Sequence, residues 1–322
     1  MHDIPEIPEP TGQVSDAVAG NWVDSIAPAW SRPYLRLSRA DRPVGTWLLL
    51  IPCWWGVFLA ALAGGDFKRF DLWIITGCAI GAWVMRGAGC TWNDITDRKI
   101  DAQVERTRTR PIPSGQISVK AALIWLIIQC LVGLVILLSF NLNTIYLGIA
   151  SLALVAIYPF AKRFTWWPQV FLGLAINWGA LLAWTAHSGS LGWPAILLYL
   201  AGIAWTLFYD TIYAFQDSQD DALIGVKSTA RLFGENPRKF LRTLLVAAVL
   251  LLGTAIIMAL LELPNPLVMV LALAGPWAFG WHLAWQLGQL DINKSDVCLK
   301  LFRSNRNAGL IVALFLAIAL ML

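Results

Sequence analysis

The chain has 322 residues, of which 58% are hydrophobic and 14% charged, and its formal net charge is +4. Soluble domains carry roughly 25% charged residues, and a single core of this length could not bury so much apolar side chain, so lipid is the expected solvent. The five cysteines show no C-x-x-C spacing, which excludes a recognisable zinc site or disulfide framework, and the basic residues fall in short loops beside apolar runs, which gives no reason to invoke nucleic acid.

Residues 1–33 read as a polar N-terminal segment on the cytosolic side. They are acidic and Pro-containing with no Lys or Arg before Arg32, unlike a secretory signal or an Arg-rich transit peptide. From 34 to 322 no linker divides the chain, which predicts one transmembrane domain. A spanning helix needs roughly 20 mostly apolar residues, and nine stretches qualify: 43–63, 71–92, 119–139, 142–160, 168–187, 192–215, 239–261, 266–287 and 307–322. The predicted fold is an all-α integral membrane protein with about nine helices around a central cavity. Lys and Arg crowd every second connection, 98–120, 162–163, 227–242 and 294–306, whereas the opposite connections hold only Lys68 and Arg69. The positive-inside rule then puts the amino terminus inside and the carboxyl terminus outside.

The second stretch runs without proline into Asn93-Asp94-Ile95-Thr96-Asp97-Arg98-Lys99-Ile100-Asp101, so its helix can continue beyond the membrane boundary. Asn93, Asp97 and Asp101 then share one face, where like charges repel unless a cation answers them. The sixth stretch ends in Tyr209-Asp210-Thr211-Ile212-Tyr213-Ala214-Phe215-Gln216-Asp217-Ser218-Gln219-Asp220-Asp221, which puts Tyr213, Asp217 and Asp221 on one face in the same way. Asp97 and Asp217 stand 120 positions apart, as do Asp101 and Asp221, which suggests an internal duplication of a four-helix unit and two acidic helix ends facing each other. A solvated, charge-balanced helix end explains one such cluster but explains two poorly. Oxygen ligands without His or Cys suit a hard cation, and an incomplete carboxylate shell suits Mg²⁺ shared with a diphosphate. Arg106, Arg110, Lys162, Arg163 and Lys227 lie on the same side; each taken alone is an ordinary positive-inside residue. Arg86 differs, because it lies within the second span and requires a partner or a substrate there.

Set in nine spans, the two aspartate-rich segments resemble the motifs of the UbiA superfamily of intramembrane prenyltransferases. Arg39-Ala40-Asp41-Arg42-Pro43, Met85-Arg86-Gly87-Ala88-Gly89, Arg106-Thr107-x-x-Arg110-Pro111-x-Pro113-Ser114-Gly115, Tyr158-Pro159-Phe160-x-Lys162-Arg163 and Gly225-x-Lys227-Ser228-Thr229 are similar to its branch acting on 4-hydroxybenzoate. The resemblance implies Mg²⁺ held by Asn93, Asp97, Asp217 and Asp221, with Asp94 and Asp101 nearby, and a polyprenyl diphosphate contacted by Tyr158, Lys162 and Tyr213. It makes Arg163 and the Arg39 to Arg42 segment candidates for the acceptor carboxylate, and Asp97, Asp217, Asp221 and Arg163 the catalytic set. Gln219 departs from the pattern, standing where some relatives carry another acid.

The implied reaction is Mg²⁺-assisted departure of diphosphate and attack by the ring carbon ortho to the phenol, a step of ubiquinone biosynthesis in a bacterial inner (cytoplasmic) membrane, with other ubiquinone-pathway enzymes as candidate partners. Rivals are family members using dihydroxynaphthoate, homogentisate or haem as acceptor, a CDP-alcohol phosphotransferase, whose Ala-Arg and Gly pattern neither cluster has, and a cation transporter, whose acids belong near the midplane.

Overall fold

In the computed structural model the structure describes residues 14, 17–18, 20–105, 107–223, 225–234 and 236–322, the side chains of 219–221 excepted. Among them nine helices are long and apolar enough to cross a membrane: α1 Val44–Gly64, α2 Arg69–Asp101, α3 Val119–Leu137, α4 Leu142–Phe164, α5 Pro168–Ser188, α6 Trp193–Asp217, α7 Arg238–Leu260, α8 Pro266–Gln289 and α9 Ser295–Ala319. The all-α membrane architecture is therefore as the hydropathy pattern predicts. Helix α2 runs on to Asp101, as its proline-free sequence implies, whereas α9 begins at Ser295, well before the expected 307, because Lys300, Arg303 and Arg306 break the apolar run without breaking the helix. Helices α3 and α4 bury few of their side chains, as lipid-facing helices do.

At 33 residues and about 1.5 Å per residue, α2 is about 50 Å long, against roughly 30 Å of bilayer hydrocarbon. Its polar end, Asn93 to Asp101, is thus the part that outruns the membrane.

The chain forms two compact units, Met1–Gly45 with Val84–Leu131, and Thr46–Trp83 with Val132–Leu322. The core of the first is Leu37, Ile95, Ile112, Ile117 and Ala122, covered by Tyr34 and Trp125. Its N-terminal turns are fastened by charge: Arg36 pairs with Asp24 at 2.7 Å and also reaches Gln116 Oε1 at 3.3 Å.

The second unit is centred on fully buried aromatics. Trp55 stacks on Trp205 at 5.2 Å, and both meet Phe279 edge-on. Buried indoles require acceptors for their N–H groups. Trp55 Nε1 donates to Gly309 O and Trp205 Nε1 to Asn305 Oδ1, each at 2.9 Å, and Asn305 exchanges two further hydrogen bonds with Gln286. This locks α6, α8 and α9 together by polar contacts inside an apolar core. A second polar joint lies at helix ends away from the Lys- and Arg-rich loops, where His187 Nδ1 meets Asp71 Oδ1 at 2.7 Å and Asn141 donates to the Thr185 and Ala186 carbonyls.

The internal duplication is not confirmed. The first motif lies within one continuous α-helix, whereas the second is interrupted by a 3-10 turn, Phe215–Asp217, before the short helix Ser218–Leu223. The shared face assigned to Tyr213, Asp217 and Asp221 assumed an unbroken helix.

Candidate active site

On α2, residues advance by about 100° each, so relative to Asp94 the others fall at about 20° (Asp101), 60° (Asp97) and 100° (Asn93), in that order around the helix. Asp94 and Asp97 are wholly buried, Asp101 is 4% exposed, and Asn93 is partly exposed. Three carboxylates within eight residues, out of water, require compensation. Two arginines provide it on one edge. Arg39 Nη2 donates to Asp94 Oδ1 at 2.5 Å, and Arg110 Nη1 reaches Asp101 Oδ2 at 2.8 Å and Asp94 Oδ1 at 3.4 Å.

Local structure explains how both arginines arrive there. Thr107 Oγ1 donates to Asp101 O at 2.9 Å and Arg110 N to Thr107 O at 3.0 Å, folding the loop after α2 back on the helix end. Arg39 adopts φ of 60°, the one positive φ outside glycine among the described residues. That conformation is held by its neighbour: Ser38 Oγ accepts from Trp125 Nε1 at 2.8 Å and from Gln129 Nε2 at 2.9 Å. Gly87 makes room for Gln129, since a Cβ there would overlap its amide nitrogen. Gly45 does the same for Arg86, whose Nε would lie 2.5 Å from an added Cβ. Arg42 lies 3.6 Å from Asp41, and Arg106 lies outside the described residues.

In the second unit, Tyr158 opens a 3-10 turn, and Lys162 and Arg163 follow in Ala161–Phe164. Arg163 is exposed, its guanidinium 5.0 Å over the Phe160 ring. The Gly225 to Thr229 loop is tied to this corner, since Lys227 N donates to Lys162 O at 3.2 Å and Lys227 Nζ to Phe164 O at 3.4 Å. Thr211 Oγ1 and Thr229 Oγ1, 2.7 Å apart, fasten the same loop to α6. The structure thus brings Lys162 and Lys227 to one corner, as sequence alone could not.

Tyr213 and Asp217 are partly exposed on the last turns of α6, and the Asp221 side chain lies outside the described residues. Tyr209 is buried, its hydroxyl 3.0 Å from Thr206 Oγ1, which accepts from Asn177 Nδ2 at 2.7 Å. Phe302 of α9 packs on both tyrosines, 4.3 Å from Tyr213 and 5.8 Å from Tyr209. Sequence reasoning missed Phe302, Ser38, Trp125 and Gln129; none belongs to a motif, and only spatial proximity identifies them.

No group of three or more His, Cys, Asp or Glu side chains is arranged to hold a metal among the described residues. The donor chemistry at the α2 end nonetheless fits a hard cation: Asn93, Asp94 and Asp97 offer oxygen alone, and Asp94 Oδ2 is buried without a hydrogen-bond partner among the described residues.

The UbiA prenyltransferase family model matches residues 49–306. The 4-hydroxybenzoate polyprenyltransferase, mitochondrial, of Dictyostelium discoideum is 46% identical over 96% of this chain, which spans 65% of that protein's length. The protein of the same name from Bos taurus is 47% identical over 97% of this chain and 81% of its own. A UbiA homolog from Archaeoglobus fulgidus, solved bound to GPP and Mg²⁺, shares the fold with a TM-score of 0.59 at 20% identity, covering 89% of this chain and 98% of that one. These relatives correct the placement in a bacterial cytoplasmic membrane, because both curated proteins are named as mitochondrial. The label cytosolic falls with it; what stands is that one face of the chain carries the Lys- and Arg-rich loops.

Proposed function

The chain belongs to the UbiA prenyltransferase family, and from that premise we propose that it moves a polyprenyl group from a polyprenyl diphosphate to the ring carbon ortho to the hydroxyl of 4-hydroxybenzoate. The product is 3-polyprenyl-4-hydroxybenzoate, a ubiquinone precursor. The relatives' names support both the acceptor and a mitochondrial membrane as its place. Residues 34–322 act as one catalytic domain preceded by a polar segment, a reading supported by the continuity of α2 and α3 through residues of both compact units.

The reaction breaks the allylic C–O bond, and the electron pair departs with diphosphate. The ring carbon beside the phenol supplies the new C–C bond, and loss of the ring proton restores aromaticity. Asn93, Asp97, Asp217 and Asp221 would hold Mg²⁺, which when bound neutralises charge developing on the departing diphosphate. Tyr158, Lys162, Lys227 and Tyr213 bind and orient that diphosphate. Arg163 receives the acceptor carboxylate, with Arg86 as the second candidate, since a planar guanidinium matches a carboxylate with two donors. Water has to be kept from the allylic cation, which it would capture.

The observation that carries this reading is Asp97, a fully buried carboxylate on a helix end that outruns the bilayer. A panel of labelled acceptors given to the purified protein with one polyprenyl diphosphate and Mg²⁺ tests it. Prenylation of 4-hydroxybenzoate is expected, and preference for dihydroxynaphthoate or homogentisate would replace the acceptor while leaving the reaction class.

A further inference from the structure

We propose that the seam between α7 and α8, where it meets the Lys- and Arg-rich face, binds an anionic phospholipid, its phosphate on Lys239 and Arg242 and an acyl chain along Trp281 and Trp277. Two contacts fix how these helices lie together. Arg238 Nη2 donates to Leu290 O at 3.0 Å, which sets the first turn of α7 beside the end of α8. Deeper in, Gly280 lies against Val249, whose Cγ2 would be 2.8 Å from an added Cβ. The helices therefore run antiparallel in register.

Counting about 100° per residue from these contacts puts the charged and aromatic side chains on one side of the seam. On α8, Trp277 falls about 60° and Trp281 about 100° from Gly280, opposite the buried Phe279, Leu283 and Gln286. On α7, Arg242 falls about 20° and Lys239 about 80° from Val249, away from the buried Leu241, Ala248 and Leu252. Lys239 and Arg242 are exposed, and the two indoles, each 72% exposed, stack with centroids 6.3 Å apart.

Basic residues on this face are ordinary. What accompanies them indicates the ligand. Between Arg238 and Leu290 the sequence holds one acid, Glu262, beyond the far end of α7, so neither helix supplies a counterion near Lys239 and Arg242; Glu235 lies outside the described residues. Interfacial indoles belong at helix ends. Measured from Gln289 at about 1.5 Å per residue, however, Trp281 lies about 12 Å and Trp277 about 18 Å along α8, at acyl-chain depth. Gly253, with open space where a Cβ would stand, leaves room on α7 at the level of Trp277. Cations at the membrane surface with an aromatic track leading inward match a phosphate that carries a chain, whereas a soluble anion would use the charges and not the indoles.

The full-length protein is reconstituted into vesicles of equal phosphatidylglycerol and phosphatidylcholine, extracted in mild detergent, and its retained phospholipid counted by mass spectrometry. Wild type is expected to retain phosphatidylglycerol over phosphatidylcholine by about threefold or more. Lys239→Gln with Arg242→Gln is expected to abolish that preference, whereas Lys120→Gln with Lys300→Gln, which removes two exposed charges elsewhere on the same face, preserves it. Trp277→Leu with Trp281→Leu is expected to halve the retained phosphatidylglycerol or lower it further. No preference in wild type overturns the proposal, as does equal loss in the two charge pairs, which would reduce the effect to general attraction. Full retention in the indole variant overturns the acyl track. Loss of the bound phosphatidylglycerol to one equivalent of a polyprenyl diphosphate without Mg²⁺ would assign the seam to the prenyl donor and likewise overturn it. An unfolding temperature near wild type in lipid-free detergent establishes that each variant is folded.

Discussion

The ring of Phe302 on the last spanning helix lies 4.3 Å from that of Tyr213, inclined at 39°, and so sets the position of an aromatic side chain in the second acidic motif. Such ring pairs contribute about 0.5–1.5 kcal/mol beyond area burial. Phe302→Ala is therefore expected to lower kcat/KM for the polyprenyl diphosphate about 2- to 10-fold, while Phe302→Tyr stays near wild type. Steady-state kinetics with the acceptor saturating decide it, and an effect confined to the acceptor KM would detach Phe302 from the diphosphate side.

Acceptor recognition turns on two guanidinium groups in different settings. Arg163 is exposed and rests on Phe160, whereas Arg86 sits within α2 against the backbone of Gly45. Arg163→Ala is expected to raise the KM for 4-hydroxybenzoate much more than that for the prenyl donor, with Arg163→Lys restoring it in part. If Arg163→Ala changes neither constant, the clamp moves to Arg86, and Gly45→Ala, which crowds that guanidinium, then reproduces the acceptor defect.

Stability of the second unit depends on the amide of Asn305, which serves both Trp205 and Gln286 in a fully buried setting. Asn305→Ala strands those partners, at about 1–3 kcal/mol for each buried group left unsatisfied. A clear fall in unfolding temperature is expected, with both KM values near wild type where the variant remains folded. An unchanged unfolding temperature would mean that the network contributes nothing net.

The same logic applies to the joint between Asp71 and His187. Asp71 accepts from Lys68 N at 2.6 Å as well as meeting His187, so Asp71→Ala opens the α1–α2 turn and leaves a buried imidazole unmatched. Lower thermal stability without a change in Mg²⁺ requirement is expected from melts and kinetics run side by side. A shift in Mg²⁺ requirement would show that this joint communicates with the acidic motifs.

The spanning helices were legible because apolar runs of membrane length are a strong one-dimensional signal, and the overrun of α2 was legible because no proline precedes Asp101. The early start of α9 was not, since Arg303 and Arg306 resemble loop charges in a hydropathy reading although the backbone stays helical. At the site, the acids of both motifs announced themselves by spacing. Their partners did not: the pairing of Arg110 with Asp94 and Asp101 depends on how the Thr107 to Gly115 loop folds back, and the Phe302 contact joins residues far apart in sequence. The 3-10 turn Phe215–Asp217 is a local change of winding that a four-residue repeat conceals.

The central claim is that carboxylates of both motifs serve one Mg²⁺-dependent prenyl transfer. Its most direct test is the rate of labelled 4-hydroxybenzoate prenylation by purified wild type, Asp97→Asn and Asp217→Asn, each confirmed folded, with polyprenyl diphosphate and Mg²⁺ in excess. Each variant exchanges a carboxylate for a neutral amide of the same shape, which weakens attraction for a hard dication. We predict Mg²⁺-dependent product from wild type and a loss of at least a hundredfold in both variants; near-normal rates in either one, with Mg²⁺ still required, would contradict the account.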